Sequence, residues 1–267
     1  IEALLGATEK HTAASLREVQ ADTLSLATLK LLPVLRGTAS SHALAAAALE
    51  QLKSFDGDMK ADSAAALVFA AWADELTRGL IAPRLGEAKF KLLYGKRTFR
   101  AGLQTMLLDA KAGAYWCAPT GCAEQSSRAL GRALERIAAE QGQDLAAWRW
   151  GRAHAAISSH RPFGNVAALA KFFDVAVPTP GDPWTVNVGQ YWANDAKMPF
   201  ANRHAASLRA VYDLADPEKS QFIYQTGQSG LVFSARYRDM RDEWAGVRYR
   251  PLQLKPRDWV HEAVLVP

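Results

Sequence analysis

The chain has 267 residues, 49% of them apolar and 22% charged, which is ample for one large core or two ordinary ones and excludes intrinsic disorder. No apolar run reaches the roughly 18 to 20 residues that a membrane span needs; the longest, Ala64 to Ala73, breaks at Asp74 and Glu75, so no membrane span is expected. The formal charge of +5 comes from Lys and Arg scattered among 27 acidic residues, without the aromatic-and-basic pattern of a nucleic-acid module, so no nucleic-acid partner is expected either.

The chain starts at Ile1 with neither an initiating Met nor a signal peptide, which predicts a processed or trimmed product. From there to about Gln141 the pattern is helical. Thr12 is placed to cap a helix whose apolar positions are Leu16, Val19, Leu24 and Leu26 to Leu32, with Pro33 near its end. Ser40 or Ser41 opens a second, Ala43 to Phe55. Asp56-Gly57-Asp58 has neither the alternating ligands nor the distal Glu of a calcium loop, and reads as an ordinary turn. Asp62 is placed to cap a third helix, with Leu67, Val68, Trp72, Leu76 and Leu80 on one face and Pro83 and Gly86 at its end. Shorter helices are expected at Lys89 to Tyr94 and Phe99 to Asp109, and a strong one at Ala123 to Glu140.

Cys117 and Cys122 stand in W-C-A-P-T-G-C, where Pro119 and Gly121 can turn the chain. Two thiols are too few for a structural zinc site, and the spacing is not C-x-x-C. A local disulfide between Cys117 and Cys122 is expected, which implies an oxidising compartment, periplasmic or secreted; the competing reading is two unpaired buried thiols.

Beyond Leu145 the pattern changes. Trp148-Arg149-Trp150-Gly151 leads to His154 and His160, whose spacing, with no nearby acidic or thiol partner, is not that of a zinc site; rings packed on tryptophan and bonded to backbone are expected instead. Pro178, Pro180 and Pro183 make Val177 to Trp184 irregular, a joint between a helical region, 1–176, and a strand-rich region, 177–267.

Ser207 to Leu214 alternates as a half-buried strand, Asp216-Pro217 stops it, and Gln221 to Gln225 is a second strand. Gly227-Gln228-Ser229-Gly230 follows as a loop whose glycines can take backbone angles closed to other residues. Phe233, Tyr237, Met240 and Trp244 are spaced as the apolar stripe of one short helix. Lys255-Pro256-Arg257-Asp258 reads as a turn before a tail, His261 to Pro267, that forms a last strand or a surface strap. The fold class is therefore α+β, helices first and a few antiparallel strands after.

Three sets of these residues, in this order, resemble the penicillin amidase family of N-terminal-nucleophile hydrolases. The first is Asp62-Ser63-Ala64-Ala65 with the helix bearing Trp72. The second is Trp148 to His154, His160-Arg161-Pro162, Pro180 to Pro183 and Thr185-Val186-Asn187. The third is Ser207-Leu208-Arg209, Val211 to Asp213, Gly227 to Gly230, Ser234, Tyr237-Arg238-Asp239, Trp244, Gly246, Tyr249 and Pro251-Leu252. The resemblance implies the C-terminal half of the family's larger chain, contributing strands to an αββα sheet. Its partners would be the N-terminal half of that chain and the smaller chain of the same precursor, and its substrate a small N-acyl compound. Strands without that partner leave open edges, which favours association.

In that family the nucleophile is the hydroxyl of an N-terminal Ser whose own amine acts as base. Ile1 has no nucleophilic atom, so this chain is expected to be inactive alone, and with the family's calcium ligands in the other half no metal and no cofactor is expected on it. Asp213 resembles an acid that orients an active-site histidine in cephalosporin acylase relatives; its plainer reading is a sheet-edge Asp paired with Arg209 or with its loop. Gln228 and Ser229 are placed to bond a substrate or their own loop, and G-Q-S-G is one residue short of the G-x-S-x-G elbow. His204 and Arg209 read as local partners of strand and loop. The chain departs from the family at Ser234-Ala235-Arg236-Tyr237, where relatives often have Ser-Pro-His-Tyr. The other functional classes are a non-catalytic helical scaffold and a lone serine hydrolase using Ser229.

Overall fold

The computed structural model describes residues 1–94, 97–195, 197–255 and 263–264, apart from the side chains of 97–100. Two compact units emerge: residues 22–205, and residues 1–21 together with 206–267.

The larger unit is built on α3 (Leu26–Arg36), α4 (Ala45–Lys53), α5 (Ala64–Leu85), α6 (Glu87–Leu93), α7 (Arg97–Leu108), α8 (Ala110–Trp116) and α9 (Cys122–Gln141). α5 is its axis. Residues 65 to 72 are all buried, so the helix is apolar nearly all round and must be enclosed rather than lie on a surface. α9 packs along it, and Trp72 is fully buried with its indole N–H donating to Ser126 Oγ at 3.0 Å. Deeper along the same interface Asp74 and Glu75 are buried, and Arg136 bridges both carboxylates at 2.8 and 2.9 Å while Arg132 holds Glu75 at 3.0 Å. Buried carboxylates persist there because each finds a guanidinium and hydrogen bonds.

After α9 come α10 (Trp150–Ala153), β1 (Ala155–Ser158), α11 (Ala167–Phe173) and β2 (Val175–Pro178). β1 and β2 pair antiparallel, Ala155 opposite Pro178 and Ser158 opposite Val175. β3 (Gly189–Gln190) and β4 (His204–Ala205) form a second antiparallel pair.

The smaller unit holds α1 (Glu2–Leu5), α2 (Ala13–Ala21), β5 (Leu208–Val211), β6 (Gln221–Tyr224), α12 (Arg241–Ala245) and β7 (Arg250–Pro251). Its sheet runs β5-β6-β7, all antiparallel. Arg209, Val211 and Ile223 are buried on one face, over Trp244; Leu208 and Tyr212 are exposed, and Phe222 and Tyr224 half-buried. α2 joins this unit through Arg17, which donates to Gln221 at 2.9 Å, and Gln20, which donates to the Ala210 carbonyl at 3.1 Å and accepts from the Tyr249 hydroxyl.

Several elements depart from expectation. The single helix expected from Thr12 to Pro33 is two, because Leu24 leaves helical geometry to bridge Asp58 and Ser25 starts α3 anew, accepting the Thr28 N–H. Thr12 does cap α2, in a reciprocal pair with Ser15 at 3.2 and 2.9 Å. Ser63 rather than Asp62 caps α5, accepting from Ala66 N at 3.0 Å, and α5 runs through Pro83 to Leu85, where Gly86 stops it at φ +77°. α4 opens at Ala45 without a side-chain cap. Val177 to Trp184, expected to be irregular throughout, begins in β2, and Thr179 and Asp182 in it are buried. The stripe from Phe233 to Trp244 is not one helix. Successive turns carry the chain to Met240, whose N–H donates to Thr226 O, and only α12 is helical, leaving Phe233 90% exposed. The expected turn and tail from Lys255 lie outside the described residues except for Lys255 itself, Ala263 and Val264.

Candidate functional site

The second set of family-like residues forms a buried polar arrangement in the larger unit. Trp150 sits at the start of α10 with its indole N–H on the Gly181 carbonyl at 2.9 Å. One turn on, the His154 ring stacks on it at 4.5 Å and 11°. Nδ1 of His154 lies 2.7 Å from the Phe200 carbonyl, which fixes the proton on Nδ1 in the neutral ring. The imidazole is fully buried, and loss of hydration pushes its pKa down to about 4. Nε2 has no hydrogen-bond partner among the described residues, nor has Asn202 Oδ1. The His154 ring and the Asn202 amide nitrogen crowd Gly189, where a Cβ would lie 2.2 Å from Nε2 and 2.9 Å from Asn202 Nδ2.

The loop after β2 closes this knot. Gly181 adopts φ +84°, and Asp182, 4% exposed, accepts from Ser25 Oγ at 2.7 Å and from Trp184 N at 2.7 Å. Ser25 thereby ties the start of α3 to a loop 157 residues away. Asp182 was not singled out in the sequence; P-G-D-P announces a turn, and nothing local announces a carboxylate buried against a distant serine. His160 stacks on Phe163 at 5.2 Å rather than on a tryptophan. Imidazoles 154 and 160 thus pack on aromatic rings, and among the described residues no three or more His, Cys, Asp or Glu side chains gather as a metal would require.

In the smaller unit Asp213 follows β5, half-buried. Its Oδ1 accepts from Ala215 N and Asp216 N at 3.0 Å each, and its own N–H donates to Ser220 Oγ at 3.1 Å. Arg209 turns away from it, over the Trp244 ring and onto the Trp244 carbonyl at 3.1 Å. In the loop Gly227 to Gly230 the expected unusual backbone angles are absent, since neither glycine has positive φ. Gly227 is required for space instead: a Cβ there would fall 2.1 Å from the Arg236 carbonyl, whereas nothing lies within 4 Å of one at Gly230. Ser229 N donates to that same carbonyl at 3.1 Å, and Ser229 Oγ accepts from Leu231 N at 3.1 Å. His204 is in β4, opposite Gln190. Cys117 and Cys122, at the end of α8 and the start of α9, have Cα atoms 4.8 Å apart and sulfurs at bonding distance.

This α+β arrangement is similar over 100% of the chain to a thermostable penicillin G acylase from Alcaligenes faecalis, with a TM-score of 0.55, 16% identity and 52% of that chain covered. The fold is thus similar to that of part of this penicillin acylase. The penicillin amidase family profile matches residues 1–260, and the chain belongs to that family. Among curated relatives it is similar to the acyl-homoserine lactone acylase QuiP of Pseudomonas putida, 25% identical over 79% of this chain and 26% of the relative. The Pseudomonas aeruginosa QuiP is 24% identical over 97% of this chain and 34% of the relative. That of Pseudomonas syringae pv. tomato is 26% identical over 79% and 27%. The chain thus spans about a quarter to a third of the length of these curated relatives.

Proposed function

We propose that this chain is the C-terminal portion of an amide hydrolase that cleaves linear N-acyl bonds, as in acyl-homoserine lactones or penicillins, and that the nucleophile comes from another segment of the same precursor. The observation that carries the reading is the match of residues 1–260 to the penicillin amidase family, joined to relatives named as acyl-homoserine lactone acylases. The placement of the nucleophile elsewhere is supported by Ser229, whose hydroxyl serves its own loop through Leu231 N.

In this reading the three-stranded sheet continues into strands supplied by the remainder of the larger chain, with the smaller chain alongside. Asp213 supports a histidine of that remainder through the carboxylate oxygen its own turn does not use. The Cys117–Cys122 pair, its sulfurs at bonding distance, is oxidised in this reading, which favours the periplasm or the cell exterior as the compartment.

The test is to purify the natural protein, determine the N-terminus of every chain by mass spectrometry, and assay amine release from an acyl-homoserine lactone and a penicillin. The expected result is turnover by the assembly, an N-terminal Ser on a chain containing this sequence, and none by this polypeptide alone. Turnover by this polypeptide alone would overturn the placement of the nucleophile. An assembly inert on every N-acyl amide would favour the scaffold reading.

A further inference from the structure

In the larger unit a solvent-open cleft of about 490 Å³ lies between the loop ahead of α4 and the outer face of α9, within the roughly 300 to 1,000 Å³ of small-molecule sites. Ser40, Ser41 and His42 line one wall, and Ser127, Arg128 and Glu135 the other. The loop is pinned to the helix, because the buried hydroxyls of Thr38 and Ser126 share a hydrogen bond of 2.6 Å. Within it Ser40 Oγ accepts from His42 N at 3.3 Å, and His42 Nδ1 accepts from Leu44 N at 3.2 Å. That second bond puts the proton of the neutral imidazole on Nε2, which is left as a donor.

The helix wall also has capacity to spare. Arg128 gives its Nε–H to Glu124 at 2.6 Å, which balances the two charges and leaves the terminal guanidinium N–H groups. Ser41 Oγ, Ser127 Oγ and the Glu135 carboxylate have no hydrogen-bond partner among the described residues. Gly131 lies between Arg128 and Glu135 on the same helix face. Glycine weakens a helix interior relative to alanine, yet a Cβ at 131 would meet only Ser40 Oγ, at 3.8 Å, an ordinary contact. Packing does not require this glycine; its missing side chain keeps the floor of the cleft open. Ala39 is the one apolar side chain among the residues lining the cleft, so what the walls present is hydroxyls, an imidazole N–H, a guanidinium and a carboxylate, donors and acceptors interleaved.

We propose that this cleft binds a saccharide, whose ring hydroxyls donate to Glu135 and accept from His42 Nε2 and Arg128 while Ser41 and Ser127 exchange bonds with the remainder. The proposal does not rest on the amide-hydrolase reading.

The experiment is to titrate the purified natural protein with the methyl glycosides of glucose, galactose and mannose and with maltotriose, following saturation transfer to the sugar protons by NMR. Saturable transfer to at least one sugar is expected, with a roughly millimolar dissociation constant, since hydrogen bonds to a solvated cleft leave little surplus. Tighter binding of the trisaccharide than of methyl glucoside would point to a glycan chain as the source, and equal or weaker binding to a free sugar. Cyclohexanol, putrescine and citrate, which are apolar, cationic and anionic and lack the array of ring hydroxyls, should show no saturable transfer. Gly131→Leu fills the floor with a good helix former, so it should abolish binding without lowering the melting temperature. Glu135→Ala, at an exposed position, should weaken binding about tenfold and serves if Gly131→Leu does not fold. No saturable transfer to any sugar, an equal response to cyclohexanol, putrescine or citrate, or parental binding in the folded variants would overturn the proposal.

Discussion

The imidazole of His154 lies flat against the indole of Trp150, ring centres 4.5 Å apart, and the pair is closed off from solvent with one ring nitrogen on the Phe200 carbonyl. A ring so placed resists protonation. Its folded pKa is about 4, below the ordinary value of 6.5, so the unfolded chain binds the extra proton first. The stability this group confers is complete above pH 6.5 and is lost as pH falls toward 4, on the order of 3 kcal/mol in all. Urea melts from pH 7.5 to 4 should show that slope, and His154→Phe should flatten it; an unchanged slope would show that other groups dominate.

Ser25 does two things at once: it caps α3 through Thr28 N and donates to the buried carboxylate of Asp182. Ser25→Ala should therefore cost more than an ordinary cap, about 2 to 3 kcal/mol, while Ser25→Asn, able to cap and to donate, should recover part of it. Denaturant midpoints of the two variants decide this. A loss in Ser25→Ala no larger than the roughly 1 kcal/mol of an ordinary cap would mean that the contact with Asp182 contributes little.

Gly227 and Gly230 bracket the same loop and should answer differently to one methyl group. Gly227→Ala places a carbon against the Arg236 carbonyl and should destabilise by about 2 kcal/mol or more; Gly230→Ala meets open space and should stay within about 0.5 kcal/mol of the parent. Thermal melts of both variants give the comparison directly.

Asp213 holds two amides of its own turn through Oδ1. Asp213→Asn preserves that acceptor and should fold with nearly parental stability, whereas Asp213→Ala should lose about 1 kcal/mol. If the carboxylate also orients a histidine in the assembled enzyme, Asp213→Asn should lower kcat and shift the acidic limb of the pH–rate profile at unchanged stability. A parental profile in Asp213→Asn would confine the residue to its turn.

Much of this was legible where a pattern is dense and local. The apolar residues from Leu67 to Leu80 announce α5, and Ala123 to Glu140 announces α9 to within a residue at each end. The stacking of His154 on tryptophan and its bond to backbone were legible too. What escaped depended on distant partners. Leu24 fits a helical stripe equally well, and only its bridge to Asp58 pulls it out of one. Phe233 to Trp244 carries helical spacing, yet the loop is held by bonds such as Met240 N to Thr226 O, which no spacing foretells. A catalytic role for Asp213 is less legible still, since its turn uses Oδ1 alone and the histidine proposed for the other oxygen lies outside this sequence.

The smaller unit draws its two pieces from opposite ends of the sequence, Arg17 and Gln20 meeting Gln221, Ala210 and Tyr249. During synthesis α2 emerges long before any strand it will touch, and it must wait while some 180 intervening residues appear, a separation of the kind that slows folding. Residues 22–205 can settle first, so the clasp between the two ends is expected to be among the last contacts made on the ribosome and among the first to open under mechanical load.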